Sequence, residues 1–450
     1  MDIKTKRFIL KEKVDICCSK SYLQRILICL LLSKKDKIRI KNFNTTYFSG
    51  DILTTLSVLE YFGYKQKFEK SSTIIYRDRS CVSPPPSYQD LEINCDESGF
   101  LARVLPLALS FINSEFRIKG NKRLLGRGII EDYKYFQKRG WEIKYLKKEF
   151  DIKFSGAVLN SGKYNFINPK SSQLITGLLM CLPLVNGDSE ICIENAVSAS
   201  YIDLTISVML NFGIKIKVIK DVNNKLIIRI KGNQEYKIKT SKVEGDWSSA
   251  SFLIVAAALN EGISILGLEP QSLQADKKIL ELDCIKHRWL RNSLFSSSKK
   301  LKISSNASIS SNSNTNKPDK GVVQKRGFVF DATHCPDLIP ALTVLAMFSG
   351  GSCKIYGTDR LKYKESSRAE VLQTEFSKIG AKIFLNEDHL QIFSKKNYNT
   401  AILDSHNDHR IAMAAFIAGL KIEGGVEIKN FGCIKKSYPY FLDCFEIKND

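Results

Sequence analysis

One pattern that recurs six times constrains the fold of this chain more than any other feature of its sequence. Each copy has a short polar head and then a strongly apolar run, as in SSQLITGLLMCLPL from Ser171 and DWSSASFLIVAAAL from Asp246. Successive copies lie 78, 74, 76, 89 and 71 residues apart, counted between Lys20, Ser98, Ser172, Ser248, Asp337 and Asp408. Self-similarity at a nearly constant period is typical of a chain built from repeated supersecondary units.

Each copy predicts a buried helix followed by a short strand. The heads carry Ser, Asp or Asn, which are preferred helix N-caps, and bodies that are apolar nearly all round are typical of helices without a solvent face. The stretches that follow, such as FRIKG and VEIKNFG, alternate apolar and polar residues as strands do. A second helical stretch then ends at a glycine in four copies, namely Gly63, Gly140, Gly213 and Gly380.

Six such units in 450 residues predict an α/β protein, and three units in each of two domains is the natural division. The repeats alone also allow a closed ring of six units or a solenoid. The fourth unit is irregular, because 15 of the 25 residues from 292 to 316 are Ser or Asn. We predict a flexible surface insertion without chemistry at about 292–320.

Composition narrows the classes of partner. The net charge of +21 favours anionic ligands, but no run exceeds two consecutive Lys or Arg residues, so we expect no nucleic-acid partner. The twelve cysteines form no C-x-x-C pair, so we expect reduced thiols, no metal and no cofactor. The longest uncharged stretch, 171–187, is shorter than the roughly 18–20 residues of a membrane span, and the N-terminus lacks a signal-peptide core. We therefore expect a cytoplasmic protein without a membrane partner.

Polar residues that could bind a ligand lie at the helix heads or just after the strands. A helix N-terminus carries about half a positive charge and unpaired N–H groups, so it attracts anions. Arg and Lys accompany these heads, for example Arg103 and Arg410, which suits a ligand with several phosphate or carboxylate groups. Asp337 and Glu365 are possible proton carriers. Taken singly, Asp337, Ser171 and Ser172 could equally be N-caps, and 364–368 a solvated charge pattern.

Taken in order, the motifs resemble those of the EPSP synthases (3-phosphoshikimate 1-carboxyvinyltransferases), from Ser19 to about Leu442. They are SKS at 19–21 with Arg25, SSQ at 171–173, EGDWSSAS at 244–251, PD at 336–337, KESSR at 364–368, NDHR at 407–410 and KKSYP at 435–439. The resemblance implies a two-domain inside-out α/β barrel with six β-α-β-α-β-β units, three per domain, and buried parallel helices. It also implies one half domain at 21–242 and another formed by 1–20 together with 243–450.

The resemblance implies a reaction as well: transfer of the enolpyruvyl group of phosphoenolpyruvate to the 5-hydroxyl of shikimate 3-phosphate, with release of phosphate. Asp337 should accept the hydroxyl proton with help from Lys20, and Glu365 should protonate the methylene carbon of phosphoenolpyruvate. The residues expected at shikimate 3-phosphate are Lys20, Ser21, Arg25, Ser171, Ser172, Gln173, Ser198, Asp337 and Lys364. Those expected at phosphoenolpyruvate are Lys20, Gly99, Arg127, Gln173, Arg368, Arg410 and Lys436. Members of the family are usually monomers, so we expect a monomer.

Two other functions stay open at this point. Cys18 and the ESGF stretch at 97–100 depart from the family pattern, which would also suit a degenerate anion-binding homologue without turnover. UDP-N-acetylglucosamine 1-carboxyvinyltransferase is a sister family with the same fold and the same phosphoenolpyruvate chemistry.

Overall fold

The computed structural model describes residues 1–6, 8–43, 48–78, 91–146, 149–196, 198–221, 225–260, 263–283, 285, 300–303 and 327–447. These residues form two compact units. The N-terminal unit comprises 18–244 with 273–275, and the C-terminal unit comprises 1–17, 245–272 and 276–450. The described part of the chain contains no helix long and apolar enough to cross a bilayer.

The N-terminal unit combines six helices with three four-stranded sheets among its described residues. The helices are α1 (Lys20–Leu31), α2 (Gly50–Tyr61), α3 (Gly99–Leu109), α4 (Ile129–Gln137), α5 (Gln173–Cys181) and α6 (Ala199–Asn211). The strands are β4 (Lys37–Lys41), β5 (Tyr64–Glu69), β6 (Ser72–Arg77), β7 (Glu92–Asn94), β8 (Phe116–Gly120), β9 (Glu142–Tyr145), β10 (Phe150–Ser155), β11 (Gly162–Ile167), β12 (Ser189–Glu194), β13 (Ile216–Lys220), β14 (Leu226–Ile230) and β15 (Ser241–Lys242).

The three sheets of this unit repeat one topology. Their strand orders are β15-β4-β6-β5, β7-β8-β10-β9 and β11-β12-β14-β13. In each sheet the first pair is parallel and the other two pairs are antiparallel. Helix α3 packs against α5, and every residue of α3 is buried, as an apolar body without a polar stripe predicts.

The C-terminal unit carries four helices among its described residues: α7 (Trp247–Leu259), α8 (Ile339–Phe348), α9 (Arg368–Ser377) and α10 (His409–Gly419). Its strands are β1 (Ile3–Lys4), β2 (Phe8–Leu10), β3 (Lys13–Asp15), β16 (Ile263–Leu266), β17 (Lys300–Ile303), β18 (Val329–Asp331), β19 (Ser352–Tyr356), β20 (Lys382–Leu385), β21 (His389–Phe393), β22 (Ile402–Asp404), β23 (Glu427–Lys429) and β24 (Phe445–Ile447). They form sheets of order β18-β19-β21-β20, β17-β16-β3, β1-β23-β22 and β2-β24. The buried helices α7, α8 and α10 contact one another.

The sequence predictions for the repeats are confirmed. A buried helix begins at or within two residues of each of the six anchors, and a strand follows each one. The glycines predicted to end the second helices, Gly63, Gly140, Gly213 and Gly380, all have φ between +81° and +92°. The two-domain α/β class is therefore confirmed.

The boundaries between the two units lie a few residues from the predicted positions. The changes lie at 17/18 and 244/245 rather than 20/21 and 242/243, and Lys20 falls in the N-terminal unit because Ser19 caps α1 there. Within the predicted insertion, Lys300–Ile303 forms β17 and pairs antiparallel with β16, so this part is not a loop. The rest of the predicted insertion, 292–299 and 304–320, lies outside the described residues.

Candidate active site

In the C-terminal unit, one buried arginine joins three carboxylates. Arg368 begins helix α9, and its side chain is 1% exposed. Its Nη1 donates to Asp337 at 2.7 Å, its Nη2 to Glu365 at 2.6 Å and its Nε to Asp408 at 2.7 Å. The planar guanidinium fork suits this task, because its five donors point in fixed directions within one plane. Asp337 and Glu365, which precede Arg368 by 31 and 3 residues in the sequence, thus both contact its guanidinium group.

Asp337 is the most densely paired carboxylate of the cluster. It lies in the 3₁₀ turn Pro336–Leu338 before α8, where the N-cap positions of the turn and of the helix are Cys335 and Leu338 rather than Asp337. Lys364 Nζ lies 3.2 Å from its Oδ1, and Arg410 Nη2 lies 3.4 Å from its Oδ2. Burial alone would raise the pKa of Asp337, but Arg410, Lys364 and Arg368 together hold it well below its usual value. Asp337 therefore forms ion pairs with three cations and is not a helix N-cap.

Glu365 and Lys436 complete the predicted set in this unit. Glu365 Oε1 lies 3.5 Å from Lys436 Nζ, while its Oε2 accepts from Arg368. Lys364, which contacts Asp337, is half-buried, and its partial removal from solvent lowers its pKa. The structure thus brings all six predicted residues of the C-terminal unit into one network of ion pairs: Asp337, Lys364, Glu365, Arg368, Arg410 and Lys436.

Two acidic residues in or near this network were not among the predicted site residues, although Asp408 anchored the sixth repeat in the sequence. Asp408 caps α10 by accepting from the Arg410 N–H at 2.9 Å, and it also binds Arg368 and Ser366. Asp276 is 2% exposed, and burial, followed by the charge of Asp337, raises its pKa to about 7. No motif singled out Asp276, since it lies in the irregular fourth repeat.

In the N-terminal unit, the first helix carries two of the predicted cations. Lys20 Nζ lies 2.7 Å from Asp51 Oδ2. Arg25 is 3% exposed, and its Nε donates to Thr205 Oγ1 at 2.8 Å and its Nη1 to the Ser21 carbonyl at 2.7 Å. Among the described residues, no carboxylate pairs with Arg25.

Arg25 is instead surrounded by neutral groups. Its guanidinium carbon lies 5.4 Å from the Phe100 ring centroid and 5.8 Å from that of Tyr201, which is within cation–π range. Burial lowers the pKa of Arg25 to about 10, so the side chain stays charged at neutral pH. A buried cation without a counter-ion is costly unless an anionic ligand completes its surroundings.

The remaining predicted residues lie at helix starts. Gly99 begins α3, and Ser198, with φ +52°, precedes α6. The helix α5 begins at Gln173, whose N–H donates to Ser171 Oγ at 3.2 Å, whereas Ser172 makes no capping bond. A side-chain oxygen of Ser171 thus satisfies one N–H of the first turn.

Arg103 connects three of these elements. Its Nη1 donates to Gln173 Oε1 at 2.9 Å and to the Gly99 carbonyl at 3.2 Å, and its Nη2 donates to the Arg127 carbonyl at 2.7 Å. Arg127 in turn donates to the Glu97 carbonyl at 3.2 Å. A Cβ at Gly99 would lie 2.9 Å from Arg127 Cζ, so a side chain there would displace the Arg127 guanidinium. No group of three or more His, Cys, Asp or Glu residues suited to a metal occurs among the described residues.

Comparison with known proteins supports one family. The family model for EPSP synthase (3-phosphoshikimate 1-carboxyvinyltransferase) matches residues 5–445. A 3-phosphoshikimate 1-carboxyvinyltransferase of Clostridium perfringens is 36% identical over 447 residues, covering 97% of this chain and 96% of the relative. The enzyme of that name from Clostridioides difficile is 34% identical over 458 residues, covering 97% and 95%.

Solved structures share the fold. An EPSP synthase from Acinetobacter baumannii superposes with a TM-score of 0.69 at 20% identity, covering 100% of this chain and 99% of that one. The enolpyruvyl transferase NikO from Streptomyces tendae also reaches a TM-score of 0.69, at 12% identity, covering 98% and 95%. At these identities the likeness shows the fold alone. With a family model spanning nearly the whole chain and two relatives above 30% identity, this chain belongs to the EPSP synthase family.

Proposed function

We propose that Asp337, Glu365 and Lys20 carry out the reaction of this EPSP synthase, the transfer of the enolpyruvyl group of phosphoenolpyruvate to the 5-hydroxyl of shikimate 3-phosphate in the shikimate pathway. The observation that carries the proposal is the junction at Arg368, where the two proposed proton carriers, Asp337 and Glu365, bind the same guanidinium. Both substrates are anions, so they would compete with these carboxylates for the cations around them.

We expect the competition between substrate anions and Asp337 for the same cations to raise the pKa of Asp337 when the substrates bind. In the ligand-free protein three cations hold the pKa of Asp337 well below its usual value, so it would be a poor base. Phosphate or carboxylate groups bound at Arg368, Arg410 and Lys436 would neutralise part of that positive charge. Asp337 would then accept the proton of the 5-hydroxyl group, while the oxygen of that hydroxyl group bonds to C2 of phosphoenolpyruvate.

Glu365 delivers a proton in the same step, for which it first takes up one from solvent as the substrate anions draw Arg368 and Lys436 away from its carboxylate. It protonates the methylene C3, so that C2 becomes a tetrahedral carbon bearing both the sugar oxygen and the phosphate. When the C–O bond to phosphate breaks, a C3 proton returns to a carboxylate and the vinyl group is restored. Lys20 assists with its charge near the reacting hydroxyl.

We assign shikimate 3-phosphate to Lys20, Ser21, Arg25, Ser171, Ser172, Gln173, Ser198, Asp337 and Lys364, and phosphoenolpyruvate to Lys20, Gly99, Arg127, Gln173, Arg368, Arg410 and Lys436. The buried charge of Arg25 supports the first assignment, because its surroundings contain neutral acceptors and aromatic rings. We further propose that the protein is a cytoplasmic monomer.

The test follows both substrates by phosphorus NMR and measures shikimate 3-phosphate binding by calorimetry. Glu365→Gln and Asp337→Asn should each lower turnover by at least ~10²-fold while leaving binding largely intact. Glu370→Gln is the matched control, since Glu370 lies on the same helix as Arg368 but is exposed, and it should stay within about twofold. Near-normal turnover of Glu365→Gln would refute its role. Turnover of UDP-N-acetylglucosamine instead of shikimate 3-phosphate would refute the substrate.

A further inference from the structure

Three of the proposed substrate residues in the N-terminal unit are bonded to one arginine that has no assigned role. Arg103 donates to the Gln173 side chain and to the carbonyls of Gly99 and Arg127. Its side chain is 5% exposed. A single side chain therefore ties the first turns of α3 and α5 to the segment that carries Arg127.

Asp132, on the first turn of α4, holds this arginine in place. Its Oδ2 lies 2.5 Å from Arg103 Nε, the donor that is not used for the other three bonds. The neighbouring Tyr133 hydroxyl donates to the Ala102 carbonyl at 2.5 Å, which fixes α4 against α3. Burial raises the pKa of Asp132, with the Arg103 charge acting in the opposite direction, so the carboxylate lies in a poorly solvated place.

We propose that Asp132 and Arg103 are a positioning pair for phosphoenolpyruvate: Asp132 fixes Arg103, which in turn fixes the Gln173 amide and the Arg127 main chain. This inference rests on the proposed assignment of Gln173 and Arg127 to that substrate. Neither member of the pair needs to touch the reacting atoms.

The hydrogen bonds specify what the pair does. Because Arg103 occupies Gln173 Oε1, the amide presents its Nε2 donor rather than its acceptor to a ligand, which suits an anion. Because Arg103 also holds the Arg127 carbonyl, the Arg127 guanidinium stays beside Gly99 at the start of α3, where the helix dipole favours negative charge.

A matched ion pair exists elsewhere in the same unit. Arg117 on β8 binds both oxygens of Asp151 on β10 at 2.5 Å, and the Asp151 side chain is 4% exposed. Disrupting this pair should destabilise the same unit without changing how Gln173 and Arg127 are held. Asp151→Asn is therefore the control for Asp132→Asn.

The experiment measures kcat and the KM of each substrate in the full-length enzyme. We expect Asp132→Asn to raise the KM of phosphoenolpyruvate about tenfold, roughly what loss of one charge-assisted hydrogen bond does to an equilibrium. Its kcat should fall less than about threefold, Asp132→Glu should recover part of the loss, and Asp151→Asn should leave the KM unchanged. If Asp132→Asn does not fold, Asp132→Glu carries the test, with an expected KM between those of the wild type and Arg103→Met.

Two results would overturn the proposal, and they can be told apart. Equal KM values in the Asp132 and Asp151 variants would show that the pair is only structural. If Arg127→Met and Gln173→Ala leave the KM of phosphoenolpyruvate unchanged, the assignment on which the inference rests has failed instead. A rise confined to Asp132 and Arg103 variants, together with sensitivity at Arg127 and Gln173, supports it.

Discussion

Replacing Arg368 with methionine should destabilise the C-terminal unit strongly, and the structure indicates by how much. Asp337 keeps Lys364 and Arg410 after the change, so its charge remains compensated. Asp408 is different, because it is fully buried and its remaining hydrogen bonds come from the Ser366 hydroxyl and the Arg410 N–H, with His409 Nδ1 4.0 Å from its Oδ1.

A buried carboxylate that loses its cation typically costs about 3–5 kcal/mol in the free energy of unfolding. The same substitution at an exposed pair is the control: Arg229 binds Glu190 at 2.9 Å, but its side chain is 57% exposed, so Arg229→Met should cost less than about 1 kcal/mol. Arg368→Lys should fall between these values, because an ammonium keeps the charge but cannot span three carboxylates.

The assay is urea unfolding at pH 7 followed by hydrogen exchange and mass spectrometry. Two domains need not unfold together, so a single optical transition would mix them. Peptides from 327–447 should lose protection at lower urea in Arg368→Met, while peptides from 91–146 should not. A loss below about 1 kcal/mol, or equal losses in both units, would refute the view that Arg368 is the counter-ion that Asp408 requires.

Three further predictions concern binding, pH and the insertion. Gly99→Ala should raise the KM of phosphoenolpyruvate several-fold without changing that of shikimate 3-phosphate, since the new Cβ would displace Arg127. A KM of phosphoenolpyruvate equal to that of the wild type would contradict this. Asp276→Asn should become more stable relative to wild type as pH rises from 5 to 8 in urea titrations. The raised pKa of Asp276 gives wild type a stabilising contribution that is present below pH ~4 and lost, by up to a few kcal/mol, as pH rises through about 7; a difference independent of pH would contradict this. Deleting 304–316 should leave kcat and KM within about twofold, whereas deleting 293–316 also removes β17 and should lower the melting temperature; equal melting temperatures would contradict this.

The repeats could be predicted because the signals behind them are local. An apolar body after a polar cap fixes where α3 or α10 begins, and a glycine such as Gly213 marks where a helix must end. The pairing of the chain ends could not be predicted. Strand β1 pairs with β23 more than 400 residues later, and no local pattern encodes which edge a two-residue strand joins.

The residues of the candidate site also fall into those that the sequence could predict and those that it could not. Glu365, Arg368 and Arg410 lie at repeated heads or after strands, so their positions mark them as candidates. Asp132 and Asp276 carry no such signal, because an acid in the first turn of a helix or in an irregular segment has the same sequence appearance whether it is solvated or buried beside a charge. Only packing distinguishes the two cases.

The buried arginines of the two units differ in their partners, which are carboxylates in the C-terminal unit and, for Arg25, neutral groups in the N-terminal unit. This difference affects how strongly each unit would bind an anion. In the C-terminal unit Arg368 and Arg410 are already bound to carboxylates, so an incoming anion exchanges one partner for another and gains little from charge alone. Under the proposed assignment, the exchange would instead raise the pKa of Asp337, because its cations would be shared with the ligand. In the N-terminal unit Arg25 has only neutral acceptors and aromatic rings, so an anion there would gain the full benefit of a buried charge. The gain in affinity from charge would thus be largest at Arg25, whereas the basicity of Asp337 would depend on how the cations around it are shared with the ligand.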